Sequence, residues 1–171
     1  MAVVSLKPVD VVVALRLAEA PGEKYAQLGA DLGISSSSAH QSVRRLAAAG
    51  LLRPGTRTVN RLAFREFLEH GVRYAFPARP GIEARGVPTA HAAPPLSSHI
   101  VSAHAYVWPS AVGPSSGQSV TPLYPAAIRL PDRCPSVYES LALVDALRVG
   151  QARERKLAAE VLARKLEATA A

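Results

Sequence analysis

Residues 25–60 read YAQLGADLGISSSSAHQSVRRLAAAGLLRPGTRTVN, and the fold of the N-terminal half is decided there. Tyr25, Leu28 and Leu32 recur at i, i+3 and i+7, which is one face of a short helix. Gly33, directly after Leu32, is a left-handed stop, since a residue without a Cβ enters that conformation at no steric cost. Ile34 then plugs the corner, and Ser35 or Ser36 caps a second helix by accepting from its freed backbone N–H groups. In that second helix Ala39, Val43, Leu46 and Ala47 repeat at i, i+4, i+7 and i+8 and are expected to pack inward. Ser37, His40, Gln41 and Arg44 repeat at i, i+3, i+4 and i+7 and form a separate polar stripe. Gly50 ends the helix, and Leu51–Arg53 pairs with Thr56–Val59 as a small hairpin about Pro54-Gly55.

Two short helices joined by a glycine-bearing turn and followed by a basic hairpin make the pattern of a winged helix-turn-helix. Residues 5–60 resemble a bacterial winged-helix regulator of the multiple antibiotic resistance regulator (MarR) family. The carrying residues are LGADLGISSSSAHQSVRRLAAAGLLRPG, Leu28 to Gly55. The resemblance implies that the second helix, about Ser36–Ala49, lies in the major groove of double-stranded DNA. Ser36, Ser37, His40, Gln41 and Arg44 would then meet bases or phosphates, and Arg53, Thr56 and Arg57 of the hairpin would meet phosphate or the minor groove. Arg45 either reaches phosphate or braces the hairpin from within. Glutamine pairs bidentately with adenine and arginine with guanine. Many members of the family carry arginine at the position of Gln41, so their base preference does not transfer. Lys24, at the start of the first helix of the pair, is a further candidate for backbone contact.

The charge distribution favours an anionic partner. The net charge is +7. Residues 1–79 hold 11 basic against 6 acidic side chains, whereas residues 80–171 hold 9 against 7. Between residues 31 and 65, Arg44, Arg45, Arg53, Arg57, Arg61 and Arg65 face only Asp31, so the positive field lies on the quoted stretch. The single cysteine, Cys134, excludes an intramolecular disulfide framework and a multi-cysteine zinc site. The start, MAVVSLKPVDVVVAL, is interrupted by Lys7, Pro8 and Asp10 and makes a poor signal peptide. No apolar run approaches a bilayer span. A soluble, cytoplasmic protein without membrane contact is expected.

Three segments are expected: a winged helix-turn-helix domain over 1–77, a proline-rich extended segment with a small sheet over 78–135, and a helical hairpin over 136–171. The fold class is thus mainly α with a small β component. Ser5–Ala20 reads as the first helix, with Pro8 in its opening turn. Its many valines are buried by the rest of the domain or, in part, form a dimer contact. Asn60 caps a helix over Arg61–His70, Gly71 stops it, and Val72–Phe76 is strand-like. Eleven of the 14 prolines fall between Pro77 and Pro135, too many for a helical segment. His99–Trp108 is the better strand there, Ser119–Tyr124 an edge strand, and residues 113–117 the loop between them. Ser136 and Glu139 have the spacing of a capping box for a helix ending at Val149, and Gln151–Ala168 returns as the last helix.

No nucleophile with a base, no phosphate loop and no paired acids in a recognisable frame stand out, so an enzyme is not expected. His91, His99, His104 and Cys134 match no metal-ligand spacing, so neither a metal nor another cofactor is expected. Cys134 beside Arg133 is only a weak redox-sensor candidate. The leading expectation is a sequence-specific DNA-binding transcriptional regulator acting as a homodimer. The alternative is a winged-helix protein-interaction module that docks a partner protein through the middle segment and the C-terminal helices. A third reading adds an effector lined by Tyr106, Trp108 and Tyr124, against the simpler reading of those rings as core.

Overall fold

The computed structural model of the protein describes residues 4–168; residues 1–3 and 169–171, the outer ends of the first and last expected segments, lie outside the described residues. Helix α1 (Pro8–Glu19) begins at Pro8 rather than Ser5, because the fixed φ of proline suits the first helical position and Asp10 accepts the Lys7 backbone N–H at 2.7 Å. Val11–Leu15, Leu17 and Ala18 are all buried within one chain, against α3 and α7, so the apolar excess of this helix is intramolecular core. Helix α2 (Tyr25–Leu32) ends at Gly33 in the left-handed region (φ 71°), and α3 (Ser36–Ala48) starts from Ser35, whose hydroxyl accepts the Ser38 N–H at 3.0 Å.

The hairpin after α3 is held by one bridge, Leu52 with Val59, and by Arg53 N–H to the Thr58 carbonyl (2.8 Å) and Asn60 N–H to the Leu51 carbonyl (2.9 Å). Asn60 caps α4 (Arg61–Glu66) as expected. The expected stop at Gly71 and the strand after it are not formed. The helix instead runs through a π turn (Phe67–Gly71) into α5 (Val72–Ala75). Gly71 keeps a negative φ (−115°) and lies under the Phe67 ring, so the chain absorbs an extra residue in the turn and continues.

The small sheet differs most from expectation. β1 (Glu83–Thr89) was not anticipated, β2 (Tyr106–Pro109) is only the end of the expected His99–Trp108 strand, and β3 (Ser115–Ser119) covers much of the expected loop. The expected strand beyond Ser119 is not formed. β1 pairs antiparallel with β2 (Val87 opposite Trp108) and with β3 (Ala84 opposite Gly117), while β2 and β3 pair in parallel at Tyr106–Gln118, so three strands close on themselves. Such a tight closure needs bare backbone. A side chain on Gly86 would run into the Trp108 carbonyl, and one on Gly113 into the backbone of Gly86.

Beyond the sheet come α6 (Leu130–Arg133), α7 (Pro135–Val149) and α8 (Ala152–Ala168). The expected capping box does not form, because α7 starts at Pro135 from Cys134, two residues earlier than a Ser136 cap would start it. Ser136 instead donates to Glu19 at 2.6 Å, and Glu139 pairs with Lys165 at 3.0 Å. That pair ties the start of α7 to the end of α8, so the two helices are antiparallel, as expected. The whole is mainly helical with a small three-stranded sheet. One hydrophobic core runs from α1 to α8, with α7 touching α1, α5, α8 and β1.

Candidate nucleic-acid interface

Helix α3 divides its circumference cleanly. Ala39, Ser42, Val43 and Leu46 are buried, while Ser36, Ser37, His40, Gln41 and Arg44 are exposed. Two positions depart from expectation: Ala47 is exposed, and Ser42 takes the inward place, accepting from Arg45 Nη2 at 3.1 Å. Gly29 is buried beneath the α2–α3 turn, where a side chain would reach 2.6 Å from the Ile34 carbonyl; its bareness lets the two helices cross closely.

Arg44 and Arg45 are neighbours with opposite fates. The Arg44 side chain is exposed and has no hydrogen-bond or ion-pair partner among the described residues. Arg45 turns inward and holds fully buried Asp10 by two bonds, Nε to Oδ2 at 2.8 Å and Nη2 to Oδ1 at 2.7 Å. The hydrogen bond to Asp10 holds the Arg45 guanidinium in its charged form, against the cost of burial. Arg45 therefore braces α1 rather than offering itself to phosphate, which corrects its place among the contact candidates.

The hairpin also sorts its side chains. Arg53 is exposed, without a side-chain partner among the described residues. Arg57 donates to the Glu23 carbonyl (2.7 Å) and the Gly22 carbonyl (3.0 Å), and its guanidinium lies 4.8 Å from the centre of the Tyr25 ring. Tyr25 in turn meets His40 edge-on at 5.1 Å. Arg57 is thus an anchor that locks the hairpin to the α1–α2 turn and, through Tyr25, to α3. Thr56 closes its own turn, donating to the Arg53 carbonyl at 3.0 Å and accepting from Thr58 N–H at 3.1 Å. Neither Arg57 nor Thr56 is held out as a free contact.

The nearby acids are engaged from within. Arg16 pairs with Glu23 (2.7 Å) and Asp31 (2.8 Å), and Asp10 is held by Arg45. The surface of α3 and the hairpin tip presents Ser36, Ser37, His40, Gln41, Arg44 and Arg53, with no carboxylate between Ser36 and Arg53 in sequence, and exposed Lys24 stands at the head of α2.

A contact that the sequence did not reveal comes from the middle segment. Tyr124 donates to the Leu32 carbonyl at 2.8 Å, Arg133 donates to the Ala30 carbonyl at 3.1 Å, and Ala126 lies against the bare Cα of Gly33. Residues 124–133 are thus seated on the α2–α3 turn. No local motif announces this, because both acceptors are backbone carbonyls about a hundred residues away.

The other candidates are absorbed by structure. Trp108 and Tyr124 are buried core rings, whereas Tyr106 is half-buried and edge-on to the His91 ring at 4.8 Å. The Cys134 thiol is buried, and burial pushes its pKa up, away from the reactive thiolate. Among the described residues no three His, Cys, Asp or Glu side chains are placed to hold a metal ion, and no helix is long and apolar enough to cross a membrane. No family model, curated protein or solved structure matches this chain.

Proposed function

We propose that the protein is a sequence-specific DNA-binding transcriptional regulator in which α3 is the reading helix and the hairpin about Pro54-Gly55 is a short wing. The observation that carries this reading is the exposed face of α3. Ser37, His40, Gln41 and Arg44 point outward together on one helix, while the nearby acids Asp31 and Asp10 are held in ion pairs by Arg16 and Arg45. Such a face offers donors to phosphate and, through Gln41 and Arg44, bidentate pairs to adenine and guanine. With Arg57 and Thr56 engaged internally, Arg53 is the wing's cation without a side-chain partner among the described residues, so the wing adds position more than sequence reading. A homodimer on a pseudo-palindromic site would place two copies of α3 in successive major grooves.

The test is an unbiased selection of duplexes at near-physiological salt, followed by affinity titrations across salt and the mass of the complex. A recovered motif, a steep fall of affinity with salt and a mass of two chains per duplex are expected. Binding indifferent to both sequence and salt would sink the reading. A protein co-purifying in fixed ratio, with no DNA affinity, would favour the interaction-module alternative instead.

A further inference from the structure

We infer that Arg133, which lies outside the helix-turn-helix stretch, belongs to the nucleic-acid contact surface as a phosphate-binding residue beside the entry to α3. The inference rests on the DNA reading above and extends it to a part of the chain that the sequence assigned no such role. Three observations carry it. The segment bearing Arg133 is fixed on the α2–α3 turn by Tyr124 to the Leu32 carbonyl, by Arg133 to the Ala30 carbonyl and by Ala126 against Gly33. The Arg133 Nη1 lies 3.5 Å from where a side chain on Gly33 would begin, so its charge stands at the turn itself. Arg133 is also exposed, and its one hydrogen bond among the described residues leaves most of the five guanidinium donors unused.

Position and charge make this a phosphate site. Gly33 and Ser37 are four residues apart, a span of at most about 14 Å even if fully extended, so a duplex read by the first turn of α3 passes within reach of an arginine held at the turn. Asp31, the carboxylate nearest in sequence to that turn, is held by Arg16 at 2.8 Å and does not claim Arg133. A guanidinium suits phosphate because its forked donors match the anion's oxygens. The bond to Ala30 also fixes the side chain before DNA arrives, which lowers the ordering cost of the contact.

The test compares wild type, Arg133→Gln and Arg133→Lys on a mixed-sequence duplex of about two helical turns, by fluorescence anisotropy across a salt series. Glutamine keeps a donor for the Ala30 carbonyl but removes the charge, and circular dichroism checks that each variant is folded. For Arg133→Gln the slope of log affinity against log salt should become shallower by about 0.9, the loss of one phosphate contact. Over a fourfold rise in salt its affinity should then fall about 3.5-fold less than that of wild type. Preference between selected and scrambled sequences should not change, and Arg133→Lys should restore the slope. A folded Arg133→Gln with the wild-type slope overturns this inference and leaves the DNA reading intact. Wild-type protein with no salt-dependent DNA binding overturns both.

Discussion

Arg45 and Asp10, 35 residues apart in sequence, form a two-bond ion pair in which the carboxylate has no solvent exposure at all. The pair locks α3 to the start of α1, since Asp10 also accepts the Lys7 N–H that opens that helix. Removing the arginine would leave a buried carboxylate with only backbone help. Arg45→Met is therefore expected to lower unfolding stability in urea by about 3 kcal/mol, at the lower end for breaking a buried pair because Lys7 still donates. Asp10→Asn in the same background should recover part of the loss. A loss below about 0.5 kcal/mol would assign the bond no structural weight and return Arg45 to the candidate DNA contacts.

Asp145 does for the sheet what Asp10 does for α3. Its Oδ2 accepts from Thr89 Oγ1 (2.7 Å) and Trp108 Nε1 (2.6 Å), its Oδ1 from Arg148 (2.7 Å), and Arg148 also donates to the Phe76 carbonyl (2.8 Å). Burial pushes the carboxyl's pKa up, and Arg148, Thr89 and Trp108 oppose that. Asp145→Leu would leave Arg148 without its ion partner and the Trp108 N–H without an acceptor, and is expected to cost about 3–5 kcal/mol. Trp108 is the single tryptophan of the chain and fully buried, so its emission reports the change directly. An Asp145→Leu variant with unaltered emission and stability would contradict this account.

Alkaline pH should weaken the fold through Tyr138. Its hydroxyl donates to the Pro88 carbonyl at 2.7 Å, and burial, with a smaller contribution from Glu139, pushes its pKa up to about 12 from an ordinary value of 10.0. Between those values the unfolded chain has released a proton that the folded chain keeps, so the unfolded state binds fewer protons and stability falls as pH rises. The contribution is whole below about pH 10 and is lost by about pH 12. Tyr124, raised chiefly by burial, acts in the same direction. Urea melts in this window should show a shallower decline for Tyr138→Phe than for wild type, and an identical decline would rule Tyr138 out as a source.

How much of this the sequence disclosed depends on where each cause lies. The end of α2 and the starts of α3 and α4 are legible because Gly33, Ser35 and Asn60 act within a few residues of themselves. The sheet is not, because Gly86, Gly113 and Gly117 read as loop residues until closure brings Gly86 against Gly113 and Gly117 against Ala105. At the candidate site the periodicity marks the stripe as exposed, but nothing local separates two adjacent arginines, since only Asp10 distinguishes Arg45 from Arg44. The anchoring of Arg57 is hidden from the sequence, because its acceptors, two backbone carbonyls of the α1–α2 turn, leave no mark there.

The sorting of side chains around α3 leads to a division of labour among DNA-binding variants. Gln41 and Arg44 stand exposed on the proposed reading face, so Gln41→Ala and Arg44→Ala should each narrow the gap between selected and mismatched duplexes by about 1–3 kcal/mol. Arg53, at the hairpin tip, should act through phosphate; Arg53→Ala should weaken every sequence alike and reduce the salt slope by about one contact. Arg57→Ala should behave differently from both. It removes the two bonds to the α1–α2 turn and the stacking on Tyr25, so it should lower thermal stability and weaken DNA binding by loosening the wing. Parallel competition titrations and thermal melts separate the three patterns. If Arg44→Ala weakened all duplexes equally while Arg53→Ala changed sequence preference, the wing rather than α3 would be the reading element, and the proposed orientation on DNA would have to be abandoned.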